Sequence, residues 1–234
     1  MKRLRWITLL TGDADGLRAE VVRRLGLSEC SYEAEVDGFG ISSALFPIGR
    51  DRFLEVCGPV VDDCPAARRL RGHGQCVYMA IVQVDELESH RHRLRQRGTR
   101  IVLELDEEHP RGRYRSIHLH PRDTGAALLS FDVSRPPEDF VVVDGPWRDH
   151  VRTGVVDDVV GMELTGPDEV ALGRRWAEVL DVDLHGDGLR LDDAVIRFRR
   201  GASPERVDTI LLHAADRRRV GEEFELAGTR VELV

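Results

Sequence analysis

Hydrophobic and polar positions follow one repeated arrangement in two separate parts of the chain. Residues 7–27 and 161–182 each begin with a short apolar run, continue through Leu-Thr-Gly and end in a segment with helical periodicity. Asp13 and Asp168 precede the two helical segments, where a carboxylate can accept hydrogen bonds from the free amides of the first turn. The pattern predicts a strand followed by an amphipathic helix in both segments. In the first copy the apolar positions expected on one helix face are Leu17, Val21, Val22 and Leu25.

Two further segments repeat this plan. Residues 78–102 contain an apolar run up to Val84, then Asp85, then a helical pattern that stops at Gly98. A shorter copy is found at 207–224. After the helical segments come runs in which apolar and polar residues alternate, separated by turns, as expected for strands. The repeated unit is therefore βαβββ, used about four times along the chain.

Residues 134–151 interrupt these repeats. The stretch contains three prolines and little periodicity, which indicates a linker. We therefore predict an α+β protein of two domains, each a pair of βαβββ units, at 1–133 and 153–234, with a Pro-containing linker at 134–152. The second domain is expected to be shortened and degenerate, with a structural or dimerising role.

The overall charge and the cysteine pattern narrow the class of protein. A formal net charge of −8 and a pI near 5.6 do not predict the broad basic surface that nucleic-acid binding requires. The apolar stretch near the N-terminus is shorter than a secretory signal requires, and no stretch reaches the roughly 18 apolar residues of a membrane span. The four cysteines include no C-x-x-C pair, which favours a reduced, cytoplasmic protein. His90 and His92 lie on a charged helical segment and are expected in solvent.

Three stretches carry a resemblance to a known superfamily. They read FPIGRDRFLEVCGPV at 46–60, YMAIVQVDELESHRHRLRQRG at 78–98 and LHPRDTGAALLSF at 119–131. Together with the paired βαβββ units they resemble the vicinal oxygen chelate superfamily, which includes glyoxalase I, extradiol dioxygenases, methylmalonyl-CoA epimerase and bleomycin-resistance proteins. The length and the linker are similar to those of a two-domain, glyoxalase-like bacterial subgroup. The resemblance implies glyoxalase-like cupped mixed sheets, in which two units form a cup of eight strands with a divalent metal at its base.

The metal-ligand positions that the resemblance implies are mostly lost in this chain. In the superfamily, His and Glu from the first and last strand of each unit commonly bind the ion, and these positions fall on Trp6, Glu55, Met79 and Ser130. Only Glu55 is a usual ligand, and a single carboxylate leaves an ion weakly bound because most sites use three or four protein ligands. A divalent metal is therefore disfavoured, and no other cofactor is expected.

Strand periodicity indicates which side chains face the cup. His118 and His120 alternate with Ile117 and Leu119, so the histidines are expected to face the cup or water while the apolar pair faces the helices. Aromatic and thioether side chains at the former ligand positions suit a cavity for a small organic molecule better than they suit an ion site. The residues expected to line this cavity are Trp6, Phe53, Glu55, Met79, His118, His120 and Ser130.

Each of these residues also has a purely structural interpretation. His118 and His120 are compatible with an exposed or hydrogen-bonded strand pair. Glu55 is compatible with a salt bridge to one of the many arginines, and Trp6 and Met79 with ordinary core positions. The residues alone leave these alternatives open.

Three functions are compatible with the sequence. The first is a glyoxalase-like protein that binds a small organic molecule in the cup of the first domain without the usual metal. The second is a lyase or isomerase in which Glu55 and either His118 or His120 act as base and acid. The third is a structural or interaction protein with vestigial cups. The expected partner is a small-molecule ligand or substrate, a homodimer is compatible with the chain, and neither nucleic acid nor a membrane is an expected partner.

Overall fold

In the computed structural model, which describes residues 1–143 and 145–234, strands dominate the chain. The first part contains β1 (Lys2–Leu10), α1 (Ala14–Leu25), β2 (Ser31–Val36), β3 (Ile41–Ile48), β4 (Arg52–Pro59), α2 (Pro65–His73), β5 (Cys76–Val84), α3 (Glu88–Gln96), β6 (Ile101–His109), β7 (Gly112–Leu119), α4 (Pro121–Thr124) and β8 (Leu128–Arg135). The second part contains β9 (Val156–Gly166), α5 (Glu169–Leu180), β10 (Leu184–His185), β11 (Gly188–Arg190), β12 (Val195–Arg200), β13 (Arg206–Ala214), β14 (Glu223–Leu226) and β15 (Thr229–Leu233). Short 3-10 turns are found at Trp147–His150 and Arg217–Arg219.

The first eight strands form one mixed sheet in the order β2-β3-β4-β1-β5-β8-β7-β6. β1 pairs with β4 in parallel, with Trp6 opposite Phe53 and Thr8 opposite Glu55. β5 pairs with β8 in the same way, with Ile81 opposite Ser130. In each half the last strand of a βαβββ unit therefore lies beside the first, which confirms the α+β architecture and the repeated unit predicted from the hydrophobic pattern.

The second sheet contains a complete and an incomplete copy of the same unit. Its order is β10-β11-β12-β9-β13-β15-β14, and β9, α5 and β10–β12 make the complete copy. The predicted helix of the fourth copy is wrong: within 206–233, which the structure describes throughout, the chain forms three strands and a 3-10 turn at Arg217–Arg219. In that short stretch three consecutive arginines follow Asp216, which accepts from the Arg218 amide and closes the turn.

Compact packing groups the chain into two units, each drawn from three segments. Unit 1 contains 1–5, 79–143 and 161–207. Unit 2 contains 6–78, 144–160 and 208–234. The domain boundaries at 133 and 153 stay a prediction.

The first helix forms as its periodicity predicts, with one exception. Asp13 accepts a hydrogen bond from the Gly16 amide at 2.9 Å and begins α1, and Gly26 ends the helix in the left-handed conformation. Leu17, Val21 and Leu25 are buried, but Val22 is 48% exposed, so its predicted place on the buried face is wrong. At 100° per residue Val22 lies beside Val21 but beyond the edge of the buried stripe.

The second helix was not predicted from the sequence. α2 begins after Cys64, whose sulfur accepts from the Ala67 amide at 3.3 Å, and has Pro65 in its first turn. Ala66 and Ala67 pack with the buried thiol-bearing residues, which are Cys57, Cys64 and Cys76. A signal for this helix is the Cys-Pro start, because proline is favoured in the first turn of a helix. Among the described residues, no helix is long and apolar enough to cross a membrane.

Gly49, in the turn between β3 and β4, provides a test of this packing. It has a φ of +56°, and a Cβ at this position would lie 1.7 Å from the Asp157 carbonyl oxygen, also in unit 2. We expect Gly49→Ala to lower the free energy of unfolding by about 3 kcal/mol or more. Alanine is strained at this positive φ, and its Cβ would clash with the Asp157 carbonyl oxygen. Urea denaturation measures this change.

Gly72→Ala is the matched control for Gly49→Ala. Gly72 lies in α2 with open space around its Cα, so alanine should raise stability by up to about 1 kcal/mol. Equal effects of the two substitutions would contradict the packing of the turn against Asp157.

Candidate functional site

Five residues of unit 2 form a surface that we call the Glu55 face: Trp6, Thr8, Ser43, Phe53 and Glu55. Strand pairing places them together, because Thr8 is opposite Glu55 and alternate residues point to the same side of a sheet. The opposite side of β4 meets α1, since a Cβ on Gly58 would lie 3.2 Å from the Ala14 side chain. The predicted alternation on β4, with Leu54 and Val56 toward the helix and Glu55 away from it, is confirmed.

The Glu55 carboxylate is held by three side-chain donors. Its Oε2 atom accepts from Trp6 Nε1 at 3.0 Å and from Thr8 Oγ1 at 2.6 Å, and its Oε1 atom accepts from Ser43 Oγ at 2.6 Å. Glu55 is only 7% exposed, so these bonds replace nearly all of its hydration. The structural interpretation of Glu55 as an ion-pair partner of arginine is not what this geometry shows, because the partners are an indole and two hydroxyl groups.

The aromatic part of the Glu55 face is covered by a side chain from the predicted linker. The ring centroids of Trp6 and Phe53 are 5.5 Å apart, and those of Phe53 and Trp147 are 5.0 Å apart in an edge-to-face arrangement. Trp147 is 1% exposed. A side chain of the predicted linker therefore packs on the candidate binding surface, which its low periodicity did not indicate.

Five residues of unit 1 form a second polar surface, which we call the Asp132 face: Tyr114, Ser116, His118, Ser130 and Asp132. The antiparallel pairing of β7 with β8 sets Ser116 opposite Asp132 and His118 opposite Ser130. The other side of β8 meets α3, where the Phe131 ring lies 4.5 Å from the His90 ring. The face thus combines His118 and Ser130, which were predicted as site residues, with Tyr114 and Asp132, which were not.

Asp132 is the centre of this second surface. Tyr114 donates its phenolic hydrogen to one carboxyl oxygen of Asp132, and Ser130 donates to the other. Burial raises the pKa of Asp132 to about 7, although both hydroxyl groups act in the opposite direction. Burial and the neighbouring carboxyl also raise the pKa of Tyr114 well above its ordinary value. The clue in the sequence is that Tyr114 and Asp132 lie on the polar sides of two strands that become neighbours.

The remaining predicted site residues occupy different surroundings. His118 is half-buried, and burial lowers its pKa to about 4, so it is neutral at pH 7. His120 begins the α4 turn, where its Nδ1 accepts from the Arg122 amide at 3.1 Å. Met79 is half-buried on β5, opposite Leu128. The structure thus places His118 and Ser130 together, while the His120 ring nitrogen caps a turn.

One prediction about α3 is wrong. His90 is 7% exposed and packs on Phe131, and burial lowers its pKa to about 4. Its Nδ1 accepts from an Arg93 guanidinium nitrogen at 2.8 Å. The sequence suggested solvent because His90 is surrounded by charged residues, but those residues lie on the other faces of the same helix. His92 is exposed, as predicted.

The first half of the linker is anchored to unit 1 by polar contacts. The Pro137 carbonyl accepts from Gln83 Nε2 at 2.8 Å. Ser134 Oγ donates to the Asp139 carbonyl and accepts from the Val141 amide. Arg111 pairs with the Asp139 carboxylate at 2.8 Å. These contacts attach residues 137–141 of the predicted linker to unit 1.

Phe140 brings an aromatic ring from this anchored segment to the Asp132 face. Its ring centroid lies 5.8 Å from that of Tyr114, edge to face, and the Arg5 guanidinium lies 5.1 Å from the ring centroid. Phe140 is fully buried.

A divalent metal, which the fold family implies, does not fit these residues. Of the four expected ligand positions only Glu55 carries a carboxylate, and its oxygens already accept three hydrogen bonds. Across residues 1–143 and 145–234 no group of three or more His, Cys, Asp or Glu side chains is arranged to hold an ion. A bound ion would have to displace indole and hydroxyl donors without gaining a second anionic ligand from the Glu55 face.

Comparison with solved structures identifies the fold. A hypothetical protein from Staphylococcus aureus matches with a TM-score of 0.73 and 11% identity, covering 100% of both chains. A methylmalonyl-CoA epimerase in complex with methylmalonyl-CoA and NH4+ matches with a TM-score of 0.52 and 19% identity, covering 59% of this chain and 99% of its own. A serine-to-threonine variant of the Streptomyces coelicolor methylmalonyl-CoA epimerase, in complex with 2-nitronate-propionyl-CoA, gives the same values.

No family model matches the chain, and no curated protein matches it. The structural matches have low sequence identity, so they establish the glyoxalase-like fold and not the activity. In this chain the fold carries two carboxyl-centred surfaces, each covered by an aromatic residue of the segment that follows β8.

Asp132 predicts a pH dependence of stability. Its pKa is about 7 in the folded protein and near 3.8 for an aspartate in the unfolded chain, so between these values the folded state binds more protons than the unfolded state. Stability from this group is therefore full below pH 4 and is lost as the pH rises through 7. Between pH 5 and pH 8 wild type should lose about 2–3 kcal/mol of unfolding free energy that Asp132→Asn does not lose.

Urea denaturation of both proteins at the two pH values measures this difference. His90 and His118 titrate in the opposite sense, but they are common to both proteins and cancel. Parallel stability profiles for wild type and Asp132→Asn would show that the carboxyl is ionised in the folded protein.

Replacing Glu55 is expected to destabilise the protein, because its buried donors would be left without an acceptor. Glu55→Ala removes the acceptor for three donors and should lower the free energy of unfolding by about 3 kcal/mol. Thr8→Val removes one of these donors and should cost about 1 kcal/mol. A Glu55→Ala protein as stable as wild type would mean that the carboxylate does not organise this surface. Loss of a group that is kept for its reactivity often costs no stability.

Proposed function

We propose that this chain is a member of the vicinal oxygen chelate superfamily that binds a small organic molecule on the Glu55 face without a resident divalent metal. The glyoxalase-like fold supports the superfamily relationship. The observation that carries the proposal is the composition of the face, in which an aromatic pair adjoins a single hydrogen-bonded carboxylate. Small-molecule sites are mostly apolar, with a few fixed polar groups that orient the ligand.

The hydrogen bonds of Glu55 support binding without a metal. Three donors orient the carboxylate and satisfy it from within the protein. An arrangement of this kind keeps Phe53 and Trp6 in fixed positions, because the Trp6 indole is both a wall of the face and a donor to Glu55. The group that would bind a metal in related folds thus serves to position an aromatic surface.

An acid–base enzyme is the less supported alternative. A lyase or isomerase would use Glu55 as a base with His118 or His120 as an acid. Glu55, however, accepts from three donors, and the His120 ring nitrogen caps a turn. His118 is neutral at pH 7 and can still accept or donate a proton through a ring nitrogen, so it is the residue on which this alternative depends.

A structural or interaction protein is a second candidate with its own supporting observation. Trp147 packs on Phe53 of the Glu55 face, and Phe140 packs on Tyr114 of the Asp132 face. If these contacts are permanent, the faces are parts of a core and no ligand enters. Under either candidate, a cytoplasmic location and a homodimer remain proposals, and the acidic net charge supports the absence of a nucleic-acid partner.

A ligand screen by thermal shift, with and without EDTA, tests the proposed function. We expect some small organic compounds to raise the melting temperature in EDTA, since a ligand at 100 times its dissociation constant stabilises the native state by about 2.7 kcal/mol. The shift should be lost in Phe53→Leu, which removes the aromatic wall.

Phe46→Leu is the matched control for Phe53→Leu. Phe46 is equally buried in the same unit but pairs with Leu54, on the side of the sheet that faces α1. It should therefore retain the ligand-induced shift. A shift that requires Zn, Mn or Ni, or a library in which no compound stabilises the protein, would overturn the proposal.

A further inference from the structure

A cavity of about 80 Å³ lies between three segments of unit 2, and we call it the Tyr78 cavity. The segments are the turn that leads from β2 into β3, the first turn of α2 and the start of β5. The residues that line the cavity are Gly38, Phe39, Ile41, Pro65, Ala66 and Tyr78. Phe39 and Pro65 are exposed, so the cavity reaches the surface. It shares no lining residue with the Glu55 face or the Asp132 face.

The turn that forms the outer wall is fixed by Gly40. The Gly40 carbonyl accepts from the Val60 amide at 2.9 Å and from the Val61 amide at 3.2 Å. Gly40 has a φ of +66°, and a Cβ there would lie 3.0 Å from the Val61 Cβ and 3.1 Å from the Cys64 Cβ. Glycine therefore allows the turn to approach the start of α2 closely. The wall that carries Phe39 is thus formed before any ligand binds.

The inner wall is apolar. Ile41 and Tyr78 pack against a buried cluster that contains Ala66 and the three buried thiol-bearing residues of this unit. Burial raises the pKa of Tyr78 to about 12, so its phenol is protonated and uncharged at pH 7. The lining residues therefore carry no formal charge at this pH. An ion that entered the cavity would lose hydration without gaining a counter-charge from the lining, which favours an uncharged ligand.

The Tyr78 hydroxyl is the polar side-chain group of the cavity. In the part of the chain that the structure describes, no protein group hydrogen-bonds to this hydroxyl. A protonated phenol offers one donor, which a carbonyl oxygen of a ligand can accept. The cavity thus combines an apolar interior with one oriented donor, the composition expected of a small-molecule site.

The volume of the Tyr78 cavity limits the size of its ligand. An apolar cavity of about 150 Å³ holds one benzene molecule. A cavity of about half that volume holds a molecule of about four or five non-hydrogen atoms.

We propose that the Tyr78 cavity binds a small uncharged carbonyl compound, with its alkyl groups against Phe39 and Ile41 and its oxygen accepting from the Tyr78 hydroxyl. A carbonyl is specified because it presents an acceptor to the phenol and brings no donor that the apolar lining would leave unsatisfied. The inference goes beyond the proposed function, because this site is separate from the Glu55 face.

Methyl NMR of protein with carbon-13-labelled isoleucine tests this binding, with butan-2-one as the probe. Titration should move the Ile41 methyl resonance until it saturates, with a Kd on the order of 1–10 mM, because so few ligand atoms make contact. Ile48 lies at the other end of β3 and is fully buried, so its resonance should not move. Ile41→Val assigns the Ile41 resonance.

Tyr78→Phe should weaken the binding of butan-2-one about fivefold, because it removes one hydrogen bond and keeps the shape of the cavity. Tyr32→Phe is the matched control. Tyr32 is exposed on β2 of the same unit and does not line the cavity, so this variant should bind as wild type does.

Ala66→Val provides a second measurement. Its added methyl groups would occupy the cavity, so the saturable movement of the Ile41 resonance should be lost. Tyr78→Phe remains the deciding variant if Ala66→Val does not fold.

Three results would overturn the inference. An unsaturated drift of all isoleucine resonances would show a solvent effect and no site. Equal affinities of wild type and Tyr78→Phe would overturn the carbonyl class. Butyrate tests the charge of the ligand, since Arg69 is close enough to Tyr78 to act on its pKa. Tighter binding of butyrate than of butan-2-one would overturn the uncharged class.

Phe53→Leu separates this inference from the proposed function. It alters the Glu55 face and leaves the lining of the Tyr78 cavity unchanged, so its titration with butan-2-one should match that of wild type. A match would support the Tyr78 cavity even if the ligand screen of the Glu55 face fails. Loss of the Ile41 response in Phe53→Leu would show that the two surfaces form one site and would overturn the inference.

Discussion

The burial of a carboxylate at Glu55 is the constraint on which the rest of unit 2 depends. A charged or polar group removed from water must have its hydrogen bonds replaced, and here the replacements come from two strands. Trp6 and Thr8 on β1 and Ser43 on β3 donate to the carboxylate on β4. These bonds determine which way Trp6 points, and through Trp6 they determine the aromatic surface that meets Phe53 and Trp147.

The two units satisfy a buried carboxyl group in different ways. Glu55 accepts from three donors. Asp132 accepts from the hydroxyl groups of Tyr114 and Ser130, and burial nevertheless raises its pKa to about 7. The glyoxalase-like fold thus keeps a polar centre beside the parallel strand pair of each unit, although the metal-ligand set that the family resemblance implies is missing from the chain. Burial of a carboxylate is unfavourable unless its charge is offset. Protonation offsets it at Asp132 and hydrogen bonds offset it at Glu55, whereas in a metal site the bound ion does so.

The segment after β8 contributes residues to both units. Its first half is an integral part of unit 1, held by Gln83, Ser134 and Arg111. Its second half presents Trp147 from a turn whose other residues are largely in solvent. Trp147 packs edge to face on the Phe53 ring at 5.0 Å and so extends the aromatic surface beside Glu55.

The sequence by itself determined the repeated βαβββ unit, the start of α1 at Asp13 and the alternation on β4. These features follow from period, capping and residue type, which are local properties of the chain. Only the tertiary structure decided that His90 is buried on Phe131, that Tyr114 reaches Asp132, and that Trp147 covers Phe53. The physical reason is that periodicity states which side of an element is polar, whereas the partner of a side chain is set by the register and packing of segments far apart along the chain.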